Sequence, residues 1–195
     1  MWRSVLIGTV KNRLAELEGD ILEIGCCRGE LTVALAKLAE PLGKKVYAVD
    51  VCDVDFDKST NDRGLYLPTY YAGLGLNSEN QEQILREAIA PYSNVVFNRV
   101  DSAKMRFPKT QRFCFAVIDG CHTPEYVHGD FKRAWRLLTS GGLVAMHDYR
   151  GDMHVVTESI DQLLEEYAAE IAAVAPLAGW WVVIEKKVMV TKDGA

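Results

Sequence analysis

The sequence lacks the features that mark several large classes of protein. Its five cysteines are an odd number and include no C-x-x-C pair, which argues against a disulfide framework and a zinc site. No long apolar segment precedes Lys11, as a secretion signal would require. The longest uncharged apolar stretch, residues 171–184, contains Pro176 and Gly179 and is too short to span a membrane. These absences predict a cytoplasmic protein without a membrane span.

An excess of basic residues is also missing. The 195 residues include 22 Lys and Arg against 27 Asp and Glu, which gives a formal net charge of −5. Proteins that bind nucleic-acid phosphates or anionic lipid usually carry the opposite balance. Basic side chains are dense only in one stretch, at Arg99, Lys104, Arg106, Lys109 and Arg112. The composition therefore argues against nucleic acids and membranes as partners.

Short apolar runs alternate with helical patterns along the chain. Seven runs are predicted as strands, at about residues 21–25, 45–50, 94–98, 113–118, 143–146, 171–175 and 181–184. Helices are predicted at about 30–39, from 78, at 124–138 and at 154–168, with Ser140-Gly141-Gly142 ending the third. This alternation is typical of an α/β protein with a mostly parallel sheet and helices on both faces. The link before the last run is too short for a helical crossover, so the last strand is expected to be antiparallel.

The whole chain, residues 1–195, is predicted to form one domain, because no linker, repeat or low-complexity tract divides it. Residues 1–18 are expected to form an N-terminal helix that packs over the site or against a second copy, which leaves a homodimer open. Residues 51–78 are polar and contain three tyrosines. A structureless loop of that length is uncommon unless it is functional or mobile. The segment is interpreted either as a lid over a site or as a disordered surface insertion.

A glycine-containing turn follows the first predicted strand, in the sequence Glu23-Ile24-Gly25-Cys26-Cys27-Arg28-Gly29-Glu30. Gly25 allows a ligand to approach the backbone closely, and Gly29 lets the next helix begin near the strand. A dinucleotide site would have a glycine where Cys27 stands. Because Glu23 and Glu30 flank the turn, it suits a ligand with an ammonium or sulfonium group better than a diphosphate.

Carboxylates follow the next two predicted strands as well. Asp50, with Val51 after it, ends the second strand, where a carboxylate can accept both hydroxyls of a ribose. Asp101 and Ser102 follow the third strand, where Asp101 could accept a hydrogen bond from an adenine amino group. Since the carboxyl ends of parallel strands meet at one edge of the sheet, these residues predict a nucleoside site there.

This ordered set resembles the class I S-adenosylmethionine-dependent methyltransferases. The resemblance covers about residues 19–187 and is carried by Glu23-x-Gly25-x-x-x-Gly29, Asp50, Asp101-Ser102 and Gly141-Gly142. It implies a Rossmann-like seven-stranded sheet in the order 3-2-1-4-5-7-6, with strand seven antiparallel. It also implies that S-adenosylmethionine is held by Glu23, Gly25, Cys26, Gly29, Asp50, Val51, Asp101, Ser102 and Asp119. Cys26 and Cys27 depart from the smaller residues usual in that turn.

A second polar group follows the fourth and fifth predicted strands, with Asp119 and His122 after one and His147 and Asp148 after the other. Carboxylates and imidazoles together can bind a divalent cation such as Mg²⁺. The region resembles the metal-dependent small-molecule O-methyltransferases, and more closely a branch that includes relatives labelled cephalosporin hydroxylase. The resemblance implies that Asp119, His147 and Asp148 bind the metal. His122 stands where the family has its proton-accepting lysine.

The sequence therefore predicts an enzyme that moves a methyl group from S-adenosylmethionine to a hydroxyl of a small molecule, with Asp119 and His122 as catalytic residues. In the alternative interpretation, Asp119 is a structural strand-end acid and the two histidines only form hydrogen bonds. Two other functions stay open, a module that binds S-adenosylmethionine without turnover and, less favoured, an RNA methyltransferase. An oxidoreductase is disfavoured by Cys27.

Overall fold

A seven-stranded sheet forms the centre of the protein. The computed structural model describes residues 2–188, so the predicted domain over 1–195 extends beyond the described residues at both ends. The strands are β1 (Asp20–Ile24), β2 (Val46–Asp50), β3 (Val95–Arg99), β4 (Phe113–Ile118), β5 (Leu138–Met146), β6 (Ile171–Leu177) and β7 (Trp181–Lys186). Their order is β3-β2-β1-β4-β5-β7-β6, and β7 runs antiparallel to both of its neighbours. The predicted strand order and reversed last strand are confirmed.

Six α-helices accompany the sheet in the described part of the chain. They are α1 (Trp2–Glu16), α2 (Glu30–Ala39), α3 (Leu67–Gly73), α4 (Gln81–Ile89), α5 (Pro124–Leu137) and α6 (His154–Glu166). None of these helices is both long enough and apolar enough to cross a bilayer. The α3 helix was not predicted from the sequence.

The helices cover both faces of the sheet because the strand side chains alternate between them. Leu22 and Ile24 of β1 pack into a core with α5 and α6, which includes Phe131 and Ile160. The intervening Ile21 packs on the other face into a core with α1 and α2. The central strands are therefore buried on both faces, whereas β6 at one end of the sheet is largely exposed. The parallel strands all end at one edge, where functional residues can reach solvent.

One boundary differs from the sequence prediction. Helix α5 ends at Leu137, and residues 140–142 lie inside β5 instead of ending the helix. The strand β5 advances from Leu138 to Leu143 while β4 advances only from Phe113 to Phe115, so β5 carries a bulge. Gly141, with φ of 73°, supplies the left-handed residue that such a bulge uses.

The turn after β1 is pressed against the end of β4. Gly25 has φ of 85°, and its N–H donates to the Val49 carbonyl oxygen at 2.9 Å. A Cβ atom at Gly25 would lie 2.0 Å from the carbonyl oxygen of Asp119. Only glycine permits this approach, and the approach places Asp119 beside the turn.

We predict that Gly25→Ala destabilises the protein far more than Gly43→Ala. Both glycines have positive φ, 85° and 65°, but a Cβ atom at Gly43 meets nothing within 4 Å. Gly43→Ala should therefore cost only the left-handed backbone penalty, about 1–2 kcal/mol. Gly25→Ala adds a backbone clash, so its free energy of unfolding should fall by at least about 3 kcal/mol. Chemical denaturation of both variants measures the difference, and equal losses would contradict the close approach.

Candidate functional site

Two adjoining cavities open where β1, β2, β4 and β5 end. The first encloses about 630 Å³ of space, including the open solvent at its mouth. Its lining includes six residues predicted to hold the cofactor, Gly25, Asp50, Val51, Asp101, Ser102 and Asp119. The structure therefore gathers most of the predicted nucleoside site around one cavity.

The second cavity lies on the other side of the turn. It is lined by Glu23 and Cys26 of the turn region and by the predicted chemical centre, Asp119, His122, His147 and Asp148. Both cavities are lined by Gly25, Cys27, Tyr71 and Asp119, so the two adjoin along a shared wall. Gly29 lines neither cavity, and a Cβ atom there would meet Leu85 of α4 at 2.8 Å, so its role is to let two helices pack closely.

Asp50 holds the turn in shape. Its Oδ2 accepts hydrogen bonds from the backbone N–H groups of Cys26 and Cys27 at 2.7 and 3.0 Å, and its Oδ1 accepts from the N–H of Cys52 at 2.7 Å. An ionised carboxylate can accept about four hydrogen bonds. A fourth bond comes from the side-chain amide of Gln81 in α4, whose Nε2 donates to Oδ1 at 3.4 Å. Binding to both hydroxyls of a ribose would therefore require that two of these internal bonds be released.

Glu23 is buried without a partner. It has no exposed surface, and neither carboxylate oxygen has a hydrogen-bond partner among the described residues. Burial, together with the charges of Asp119 and Asp50, raises the pKa of Glu23 to about 8, although nearby Thr32 and Cys26 oppose part of this rise. At neutral pH the empty site thus favours a protonated Glu23, which a cationic ligand would drive to ionise.

Aromatic side chains complete the first cavity. Tyr126 of α5 donates a hydrogen bond from its hydroxyl to Oδ1 of Asp101 at 3.2 Å and packs edge-to-face on Phe56 at a ring separation of 5.3 Å. With Tyr71 they line the cavity beside Val51 and Ser102. The acids here were predicted from the sequence, but the aromatic rings were not. The cluster of tyrosines in residues 51–78 is a signal for Tyr71, whereas Phe56 and Tyr126 have none.

A chain of carboxylates and imidazoles occupies the centre. Asp57 accepts from both the backbone N–H and the ring Nδ1 of His122, at 2.8 and 2.6 Å, and Nε2 of His122 lies 2.9 Å from Asp148. The Nδ1 atom of His147 lies 3.1 Å from Asp119 and 3.2 Å from Asp148. The structure thus brings together every predicted residue of this centre and adds Asp57, which the sequence analysis missed because it lies outside the strand-end motifs.

The acids shift the pKa values of both imidazoles. Burial lowers the pKa of His122, but hydrogen bonds to Asp148 and Asp57 raise it to about 10. Burial also lowers the pKa of His147, but the charge of Asp119 and the hydrogen bonds to Asp119 and Asp148 raise it to about 11. In this arrangement both rings are protonated at neutral pH. His122 can act as a base only after it has lost its Nε2 proton, and the contact with Asp148 opposes that loss.

The same group fits a divalent cation. Asp119, His122 and Asp148 each offer a ligand atom, and these atoms lie within 4.8 Å of one another. Asp57 occupies Nδ1 of His122, which leaves Nε2 directed at the other acids, as in metal-binding histidines held by a second carboxylate. His147, which the sequence resemblance assigns to the metal, also contacts both acids. Either imidazole can therefore supply the third ligand.

Residues 51–78, here called the cap segment, are fastened to the loop that follows β5. Asp62 accepts a hydrogen bond from the backbone N–H of His154 at 3.0 Å and pairs with its ring. Arg63 forms an ion pair with Asp152 at 3.1 Å. Together with Asp57, these contacts hold α3 over the second cavity. Movement of the segment as a lid stays a prediction.

Comparisons with known proteins agree with this geometry. A family model described as a methyltransferase domain matches residues 22–149, and no curated protein matches the sequence. The O-methyltransferase NovP is 18% identical over 95% of this chain and 76% of its own, with a TM-score of 0.65. TomG, an O-methyltransferase from Streptomyces achromogenes solved with S-adenosylmethionine, is 13% identical over 95% and 79%, with a TM-score of 0.62. An rRNA methylase from Streptococcus thermophilus is 19% identical over 93% and 96%, with a TM-score of 0.55. At these identities the solved structures show a shared fold.

We predict that Asp57→Asn weakens the fold and loosens His122, whereas Asp55→Asn does neither. Asp57 is buried and accepts two hydrogen bonds from His122, so losing its charge should cost about 2 kcal/mol, or about 4–8 °C in Tm. Asp55 lies in the same segment but is exposed, so the same charge change should stay within about 0.5 kcal/mol. Thermal unfolding and the ¹⁵N shifts of the His122 ring measure both effects. Equal, small changes in the two variants would rule out Asp57 as the residue that fixes His122.

Proposed function

Because the chain belongs to the methyltransferase-domain family, we propose that it transfers a methyl group from S-adenosylmethionine to a hydroxyl of a small molecule. The observation that carries this proposal is that the two cavities adjoin at Asp119, which lines both. One cavity has the residues for the nucleoside of the donor, and the other contains Glu23 and the acid–imidazole centre. A methyl donor in the first would present its sulfonium group to an acceptor in the second.

The donor is proposed to bind along the β1 turn. Unpaired Glu23 would compensate its positive charge, since a buried carboxylate without a partner gains most from a cation. The ribose would lie by Asp50 and Val51, and the adenine between the aromatic rings and Asp101-Ser102. Cys26 and Gly29 act through the turn itself, Cys26 through its N–H bond to Asp50 and Gly29 through helix packing.

The chemical step is a displacement at the methyl carbon. The acceptor oxygen bonds to that carbon while the carbon–sulfur bond breaks, the sulfur keeps the electron pair, and the hydroxyl proton passes to a protein group. Asp119 lines both cavities and is therefore placed nearest the junction where this proton is released. His122 is the second candidate acceptor, on the condition that its Nε2 is first deprotonated. Positioning of the two reactants supplies much of the rate of such a step.

A divalent cation such as Mg²⁺ is proposed to assist. Asp119 and Asp148 would hold it together with Nε2 of His122 or with His147. When bound, such an ion lowers the pKa of an acceptor hydroxyl. Asp57 would support the site from behind by fixing the His122 ring.

The alternatives have less support. Part of the basic stretch between β3 and β4 is neutralised, since Arg99 pairs with Glu82 at 2.6 Å and Lys104 with Asp101 at 3.4 Å. This weakens the case for RNA. A module that binds S-adenosylmethionine without turnover would not need a buried acid–imidazole centre beside the donor cavity. A homodimer stays a prediction.

We predict formation of S-adenosylhomocysteine when the protein, S-adenosylmethionine and Mg²⁺ are incubated with a panel of phenols, catechols and sugars. Asp119→Asn and Asp148→Asn should lower kcat/KM at least about 100-fold, the usual contribution of a general base. Asp55→Asn should match the natural protein because it is exposed outside both cavities.

Calorimetry with S-adenosylhomocysteine provides the control for binding. Binding without turnover across the whole panel would favour the non-catalytic alternative. Equal rates in EDTA and in Mg²⁺ would remove the metal from the mechanism and leave methyl transfer intact.

A further inference from the structure

A three-residue loop between β6 and β7 ends in a tryptophan with an unusual backbone. Gly179 and Trp180 have φ of 78° and 63°. Hairpin loops place Gly, Asn or Asp at left-handed positions because a bulky side chain is disfavoured there. Strain of this kind persists where the side chain serves a purpose.

The indole is held in place but is not buried. A Cβ atom at Gly151 would lie 2.8 Å from Cδ2 of Trp180, so this glycine makes room for the ring. The backbone N–H of Tyr149 donates to the Trp180 carbonyl oxygen at 2.9 Å. The side chain nevertheless stays 43% exposed, whereas the next residue, Trp181, is 1% exposed in the core. Trp180 is thus a fixed ring that faces the second cavity.

Apolar side chains of the cap segment line the same cavity. Leu65, Tyr70 and Leu74 are 39%, 47% and 37% exposed and all lie in its wall. With Trp180 they make up half of the large hydrophobic residues left exposed in the described structure. Apolar surface concentrated around a cleft indicates a ligand with apolar faces.

The polar groups of this cavity are placed differently. The acids and imidazoles lie together around Asp119 and Asp148, and Arg28 and Glu30 lie near each other beside the β1 turn at 4.0 Å. Asp152 near the cap segment is already engaged by Arg63 and Asn61. A sugar needs hydrogen-bonding groups around its whole ring, and the cap side of this cavity presents mainly apolar side chains instead. A single hydroxyl on a flat hydrocarbon matches the arrangement better.

We propose that the acceptor is a flat aromatic hydroxyl compound whose ring lies between Trp180 and Tyr70 and whose hydroxyl reaches Asp119. This inference rests on the proposed methyl transfer, which it makes more specific. Aromatic faces pack well on indole and phenol rings, and a ring fixed in advance loses little freedom on binding. Trp180 and Tyr70 are then the residues that determine specificity.

The test is a calorimetric comparison of three probes, 2-naphthol, its saturated analogue decahydro-2-naphthol and methyl glucoside. Each is titrated into empty protein and into protein saturated with S-adenosylhomocysteine, so the result does not depend on turnover. We expect 2-naphthol to bind at least 10-fold more tightly than either other probe. Equal affinity for the saturated analogue, or preference for the glucoside, would overturn the proposal.

Matched variants assign this preference to residues. Trp180→Asn should weaken 2-naphthol binding at least 10-fold while leaving Tm the same or higher, because Asn accepts a left-handed backbone. Tyr70→Leu should weaken it several-fold. Tyr66→Leu should have no effect, because Tyr66 is 39% exposed in the same segment but lines neither cavity. Unchanged 2-naphthol binding in Trp180→Asn would contradict the inference.

These results also separate the two proposals. If S-adenosylhomocysteine does not bind, the proposed methyl transfer fails, and the titrations of empty protein still report on the aromatic preference. If S-adenosylhomocysteine binds and the probes show no aromatic preference, only the present inference fails.

Discussion

The structure depends on how buried negative charge is compensated at one edge of the sheet. Glu23, Asp50, Asp57, Asp119 and Asp148 converge there, and four of them are less than 10% exposed. Carboxylates buried together must be hydrogen-bonded, paired with cations or protonated. Each solution is used here. Asp50 accepts hydrogen bonds from backbone N–H groups. Asp57 and Asp148 pair with His122, and Glu23, which has no hydrogen-bond partner among the described residues, is protonated.

The contacts that stabilise these carboxylates also connect the cap segment to the acid–imidazole centre. Asp57 belongs to that segment, yet its strongest contacts are with His122 at the start of α5. The outer contacts of Asp62 and Arg63 with the loop after β5 fasten the same segment a second time. The cap segment therefore positions both its own aromatic side chains and the acid–imidazole centre. A ligand can therefore contact the aromatic side chains and the acid–imidazole centre at the same time.

The sequence predicts the scaffold and the acids at the strand ends well, because these follow from local patterns. Alternating apolar runs determine the strands, and Gly25, Asp50 and Asp119 sit where those runs stop. Such patterns do not predict residues whose position depends on the path of a loop. Asp57 is one aspartate among several in a polar segment, and Trp180 is recognisable only from its backbone. The bulge at Gly141 was misread for a related reason, since a glycine pair signals a helix end and a strand irregularity equally.

The central claim is that the β1 turn receives a cationic ligand, and Glu23 offers its most direct test. The measurement is a ¹³C NMR titration of the Glu23 carboxyl group in the empty protein and with saturating S-adenosylhomocysteine, whose ammonium group carries the charge. The account predicts a pKa of about 8 in the empty protein and a fall of at least about one unit when the ligand is bound. A pKa that does not change on ligand binding, or one already near the ordinary value of 4.5 in the empty protein, would contradict it.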